Sequence, residues 1–238
     1  MGPARDSARW QDANAPGEDD IGKLETAVHG CVVCNGEILD YAWTRTRVAA
    51  CDLVVAADGG TAHLRAMGIE PQVIVGDMDS CDLDEWPPKP GTEHVQFPRE
   101  KDATDGELAV DLAFARGCET VGLLGATGGR IDHFLGNVGL LTRYPGRLFV
   151  ETSEATLVAV DRNTTYDVRG TPGSIVSIIP FPAAEGVRTA GLRYALSDED
   201  LRPGTRGISN VLTAPEARIQ IRGGMLMVYT QRESPLND

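Results

Sequence analysis

The chain has 238 residues, 42% hydrophobic and 24% charged. That is enough for one large domain or two small ones around a real core, and it is unlike a disordered, collagenous or coiled-coil chain. No run approaches the ~20 apolar residues of a membrane span, and the polar opening MGPARDSARWQDANAPGEDD does not read as a secretory signal. Thirty-five acids against 22 bases leave a net charge of −13, which argues against a nucleic-acid backbone as partner.

The elements alternate from the start. Residues 1–23 carry few large apolar side chains and are expected to form a disordered extension. Short apolar runs then end at turn signals: Val28–Cys34 at Asn35-Gly36, Leu53–Ala57 at Asp58-Gly59-Gly60, and Val73–Val75 at Gly76. Two more are Val95–Phe97, ending at Pro98, and Val121–Leu124, ending at Gly125. Between them Tyr41–Ala50, Thr61–Met67, Asp105–Arg116 and Ile131–Arg143 are each long enough for a helix. This alternation predicts an α/β unit over 24–150, a mostly parallel, Rossmann-like sheet covered on both faces. After about Arg147 the runs Leu148–Glu151, Thr156–Val160, Ser174–Ile179, Ala217–Ile221 and Met225–Tyr229 are separated only by turns. An all-β sandwich or barrel-like domain is expected over 151–238.

The five cysteines, Cys31, Cys34, Cys51, Cys81 and Cys118, lie scattered in apolar segments. They read as reduced thiols of a cytoplasmic protein. Cys31-Val-Val-Cys34 reads as buried strand before it reads as a redox or metal motif.

Three runs carry chemistry. In Gly76-Asp77-Met78-Asp79-Ser80 the two carboxylates, two residues apart in extended backbone, project to one side just beyond a parallel strand. Two such charges ~4 Å apart repel by about 4 kcal/mol at an effective dielectric of 20. A hard cation such as Mg²⁺ would remove that repulsion; a solvated turn is the competing reading. In Lys101-Asp102-Ala103-Thr104-Asp105-Gly106-Glu107, Thr104 and Glu107 have capping-box spacing, so Glu107 is structural. Asp102 and Asp105 open the same helix, where phosphate binds if a metal bridges, and Lys101 can meet phosphate directly. In Gly125-Ala126-Thr127-Gly128-Gly129-Arg130-Ile131-Asp132-His133 the glycines allow close backbone approach and Arg130 offers a bidentate grip. Asn137 lies one turn beyond His133, itself open to a simple helix-cap reading. Ala57-Asp58-Gly59-Gly60 repeats the strand–acid–glycine design. In the second half, Tyr194 with Ser209 and Asn210 could stack on and hydrogen-bond a heteroaromatic ring, or be core and turn.

The ordered series ADGG (57–60), GDMDS (76–80), KDATD (101–105), GGRIDH (128–133), GLRY (191–194) and ISN (208–210) closely resembles the thiamine pyrophosphokinase (thiamine diphosphokinase) family over about residues 28–230. The resemblance implies an α/β nucleotide domain followed by a β-sandwich. It also implies a homodimer whose active sites lie between one subunit's α/β domain and the partner's β domain. The implied reaction is ATP + thiamine → AMP + thiamine diphosphate with Mg²⁺. By motif, Asp77, Asp79 and Asp105 would hold the metal and, with Asp132, form the catalytic set. Asp58, Gly59, Gly60, Lys101, Asp102, Thr104, Thr127, Gly128, Arg130, His133 and Asn137 would line the ATP site, and Tyr194, Ser209 and Asn210 would face thiamine. Tyr194 stands where many eukaryotic members have Trp, which is similar to the bacterial branch. A diphosphokinase for another heterocyclic alcohol, such as a hydroxymethylpterin, a metal-dependent phosphohydrolase and a non-catalytic nucleotide or thiamine sensor are the alternatives.

Overall fold

Val, Leu and Ile fill both faces of the first strands, so neither face can be left to water. The computed structural model describes residues 27–77 and 90–232; the expected extension 1–23, Cys81 and Asp79 lie outside them. The α/β part runs β1 (His29–Val33), α1 (Tyr41–Ala49), β2 (Leu53–Ala57), α2 (Gly60–Met67), β3 (Val73–Gly76) and β4 (Glu93–Gln96). It continues through α3 (Asp105–Ala115), β5 (Thr120–Leu124), α4 (Ile131–Leu141) and β6 (Leu148–Glu151). All six strands pair in parallel, in the order β4-β3-β2-β1-β5-β6.

Alternation sorts their side chains. Cys31, Val33, Val54, Ala56 and Ile74 pack with Val48 of α1 and Leu64 and Met67 of α2. Val32, Val55, Val73, Val75 and Leu123 pack with Ala109, Val110 and Ala113 of α3 and Val138 and Leu141 of α4. The Cys31-Val-Val-Cys34 segment is thus strand, as expected, with Cys31 fully buried and Cys34 just past the end of β1.

The second part is antiparallel: β7 (Ala155–Asp161), β8 (Tyr166–Arg169), β9 (Ile175–Ala190), β10 (Ser197–Leu201), β11 (Asn210–Val211), β12 (Glu216–Gln220) and β13 (Gly223–Gln231). Its core gathers Val158, Val160, Val176, Ile178, Val187, Leu212, Ile219 and Leu226. β9 is far longer than the expected Ser174–Ile179. Its first half pairs with β11 and β13, and its second half with β10 and β12. The two parts share one hydrogen-bonded sheet, because β6 is parallel to β5 on one side and antiparallel to β7 on the other.

Candidate active site

The chain runs outward from β1 through β2, β3 and β4, then crosses back so that β5 lies on the other side of β1. Loops leaving β1 and β5 must diverge there, which is where open α/β sheets hold ligands. In this chain the two loops are zipped together at their base. The Cys34 amide donates to the Leu124 carbonyl (2.8 Å), Gly36 to Gly125 (2.7 Å) and Glu37 to Thr127 (2.8 Å). Position 36 admits no side chain, since a Cβ would stand 2.3 Å from the Gly125 oxygen.

Above this base opens a cleft of about 530 Å³. Asp58, Gly59, Asp77, Lys101, Thr104, Asp105, Gly128, Arg130, His133 and Asn137 line it, all expected from the sequence. Three carboxylates (Asp58, Asp77, Asp105) face three cations (Arg99, Lys101, Arg130) around one cavity.

Asp58 is held in the left-handed region at φ 42, and its amide donates to the Val75 carbonyl at 2.8 Å. Such strain in a non-glycine residue persists only where the surroundings impose it. Gly76 makes room for it, because a Cβ there would lie 3.0 Å from the Asp58 Cβ. The two strand ends therefore deliver Asp58 and Asp77 side by side.

Thr104 caps α3, its hydroxyl accepting from the Glu107 amide at 3.2 Å, as the spacing predicts. Across that cap Lys101 Nζ lies 2.8 Å from Asp105 Oδ1, an oxygen shielded from solvent that has this ion pair but no well-directed hydrogen bond. Burial, and secondarily the Asp105 charge, pushes the neighbouring Cys34 thiol up to about 12.

At the mouth, Arg130 precedes α4 and bonds Asp132 at 2.5 Å, both side chains well exposed. That hydrogen bond from the guanidinium holds the Asp132 carboxyl down at about 2. The N-cap residue Arg130 makes no side-chain cap bond to α4, which starts two residues after Gly128-Gly129. Asn137 reaches back to donate to the Ala126 carbonyl at 2.9 Å, tying the helix to the glycine-rich loop.

Other expected residues lie elsewhere. Gly60 is buried where α2 meets β1, with the Val33 carbonyl only 1.9 Å from a would-be Cβ. Asp102, Thr127 and Asp132 border the cleft without lining it. Tyr194, Ser209 and Asn210 sit together on the β part, and none of them lines this chain's cleft. Tyr194 is 65% exposed, so the core reading fails for it. Asn210 is buried: its Oδ1 accepts from the Tyr194 and Val211 amides (both 2.9 Å), and its Nδ2 donates to the Tyr194 carbonyl (2.8 Å). Ser209 occupies a left-handed turn at φ 57.

Asn35, Gly36, Arg99 and Gly106 also line the cleft, and sequence reasoning passed over them. Asn35-Gly36 signalled only the end of a strand, and nothing in the run showed that β5 would be its neighbour. Among the described residues no three His, Cys, Asp or Glu side chains converge tightly enough to hold a metal.

The fold and cleft define an open α/β protein with its cleft at the switch point of the sheet and an appended antiparallel sheet. Residues 44–150 match the thiamin pyrophosphokinase catalytic domain, and residues 161–226 match its vitamin B1 binding domain. The thiamine pyrophosphokinase of Bacillus subtilis (strain 168) is 30% identical over 192 residues, covering 74% of this chain and 86% of that protein. Thiamine pyrophosphokinase 1 of Oryza sativa subsp. japonica is 27% identical over 238 residues, covering 87% and 89%. The crystal structure of thiamin pyrophosphokinase from Geobacillus thermodenitrificans superposes with a TM-score of 0.75 at 27% identity, over 87% of this chain and 99% of that one. The chain belongs to the thiamin pyrophosphokinase family.

Proposed function

We propose that this chain transfers the diphosphate group of ATP to the hydroxyl of thiamine, giving thiamine diphosphate and AMP. The observation that carries this reading is the gathering of three carboxylates and three cations around one cleft, in a chain of this family. The family match leaves the pterin-directed diphosphokinase and the phosphohydrolase without support.

Transfer requires the thiamine hydroxyl oxygen to bond to the β-phosphorus while the bridge between the α- and β-phosphates breaks. The hydroxyl proton passes to a base and the bridging oxygen leaves with AMP. Little covalent chemistry falls to the protein, so its work is orientation and neutralisation of charge. Arg99, Lys101 and Arg130 are placed to meet phosphate oxygens, and the start of α4, just after Gly128-Gly129, offers backbone amides to the same chain. Lys101 must exchange Asp105 for phosphate as the nucleotide enters. Asp77 and Asp105 supply two of the hard oxygen donors that Mg²⁺ takes together with substrate phosphates, and the shielded Asp105 Oδ1 lacks a directed donor. Those two, with Asp79, would hold the ion, which when bound would neutralise charge on the transferred group. One of the cleft aspartates serves as base within hydrogen-bond reach of the hydroxyl.

Tyr194, Ser209 and Asn210 would reach such a site from a second copy of the chain. We place the acceptor end there, in a homodimer, with Asn210 positioning Tyr194 and the chain dividing functionally into 24–150 and 151–238. Ile131 and Leu135, one turn apart on α4 at the cleft mouth, are 75% and 61% exposed, and Ile208 beside Ser209 is 44% exposed. Such apolar surface fits a subunit contact. The free cysteines fit a reducing cytoplasm.

The test is direct. Purified protein with ATP, Mg²⁺ and thiamine should yield AMP and thiamine diphosphate in equal amounts. Asp77→Asn should cut turnover by at least about a hundredfold with the fold intact; near-wild-type turnover would remove Asp77 from the site. Mixing Asp77→Asn with Tyr194→Ala subunits should recover about a quarter of wild-type activity, because half the reassorted dimers regain one whole site. No recovery on mixing would sink the shared site.

A further inference from the structure

One wall of the cleft is the turn Asn35–Gly36. It is zipped to the β5 loop on one side, and its Asn35 amide lies against Gly59, where a Cβ would stand 2.4 Å from Asn35 Nδ2. On the other side the Gly36 carbonyl is taken by His63 of α2, whose Nε2 lies 2.8 Å away. A carbonyl only accepts, so Nε2 carries the proton and, in the neutral ring, Nδ1 is left as acceptor. Tyr41, the first residue of α1, fills that need: its hydroxyl lies 2.7 Å from Nδ1, with the two ring centroids 5.8 Å apart. Three elements, α1, α2 and the loop after β1, are thereby joined through one imidazole whose two nitrogens are both engaged. None of these three residues carries charge to the phosphates.

We propose that His63, oriented by Tyr41, is a positioning residue for the nucleotide: its hydrogen bond to the Gly36 carbonyl fixes the turn that forms one wall of the ATP cleft. The proposal rests on the functional reading above and concerns the nucleotide end alone, since the thiamine end is supplied from the β part.

The test compares His63→Ala, His63→Gln and Tyr41→Phe with wild type, well below their melting temperatures, in the coupled production of AMP and thiamine diphosphate. His63→Ala should raise KM for ATP about tenfold, the scale of one lost hydrogen bond in a partly buried network, while kcat and KM for thiamine stay within about twofold. His63→Gln, whose amide nitrogen falls near the place of Nε2, should recover most of the ATP affinity. Tyr41→Phe, at a 41% exposed position that should tolerate the change, should raise KM for ATP about threefold. An unchanged ATP KM in both His63→Ala and Tyr41→Phe, equal rises in both KM values, or no rescue by glutamine would each overturn the role. If His63→Ala does not fold, the Tyr41→Phe value alone decides. A wild-type chain that makes no AMP would overturn the functional reading and the positioning role together, whereas normal wild-type turnover with indifferent variants sinks only the latter.

Discussion

Gly76 illustrates how a single hydrogen atom can set the geometry of a site. Its missing methyl is the space into which the strained Asp58 fits, so Gly76→Ala drives a 3.0 Å Cβ contact onto a backbone already at positive φ. We expect that variant to lose about 1–3 kcal/mol of stability, read from the denaturant midpoint at constant slope, and to bind ATP more weakly. Cys34 supplies a second test. With its thiol raised to about 12 by burial and by Asp105, the reactive thiolate is scarce at pH 8 and grows as the pH climbs toward that value. Alkylation of Cys34 in the native protein, followed by peptide mass, should therefore be far slower at pH 8 than for an ordinary thiol. Asp105→Asn should speed it, because removing the negative neighbour lowers the pKa. Rapid labelling of Cys34 at pH 8 would mean that the thiol is not shielded.

At the scale of the element, the cap on α3 does two jobs, since Thr104 both satisfies the Glu107 amide and borders the cleft. Thr104→Ala should lower stability by about 1 kcal/mol in chemical denaturation; a change well under half of that would mean that the cap contributes little. Elements with strong patterns were legible in advance. Leu53–Ala57 emerges as β2 with its expected ends, because a fully buried parallel strand is apolar throughout and stops at Asp-Gly-Gly. The β part was harder to read. β10, Ser197–Leu201, is SDEDL, four polar residues and one buried leucine. Backbone pairing with β9 makes it a strand without any hydrophobic pattern. β9 itself runs through Pro180 and Pro182 to Ala190, where proline in a sequence argues for a break. The acidic strand ends were visible because the chemistry needs charge at turns. Asn35, Gly36 and Arg99 were not, because their place depends on which strands become neighbours.

Across the whole molecule the two parts meet at one buried carboxylate, Glu151, as well as along the backbone. Arg47 of α1 donates to Glu151 at the end of β6 at 2.5 and 3.2 Å. Arg232, past β13, stands 3.7 Å from the same carboxylate and stacks over Trp43 at 5.0 Å. Glu151 is 7% exposed, so stranding it is costly. Arg47→Met should destabilise by about 2 kcal/mol, less than a lone buried pair because Arg232 remains; a midpoint unmoved in urea would show that Arg47 does little to hold Glu151.

The unbroken ladder through β5, β6 and β7 has a further implication for how this chain comes apart. A hinge needs a seam with few bonds across it, and here the seam is itself a strand bonded on both flanks. Melting should register as one calorimetric event, not two, and a polypeptide severed at the turn between Glu151 and Ala155 should leave fragments with raw, sticky borders in place of two self-sufficient halves.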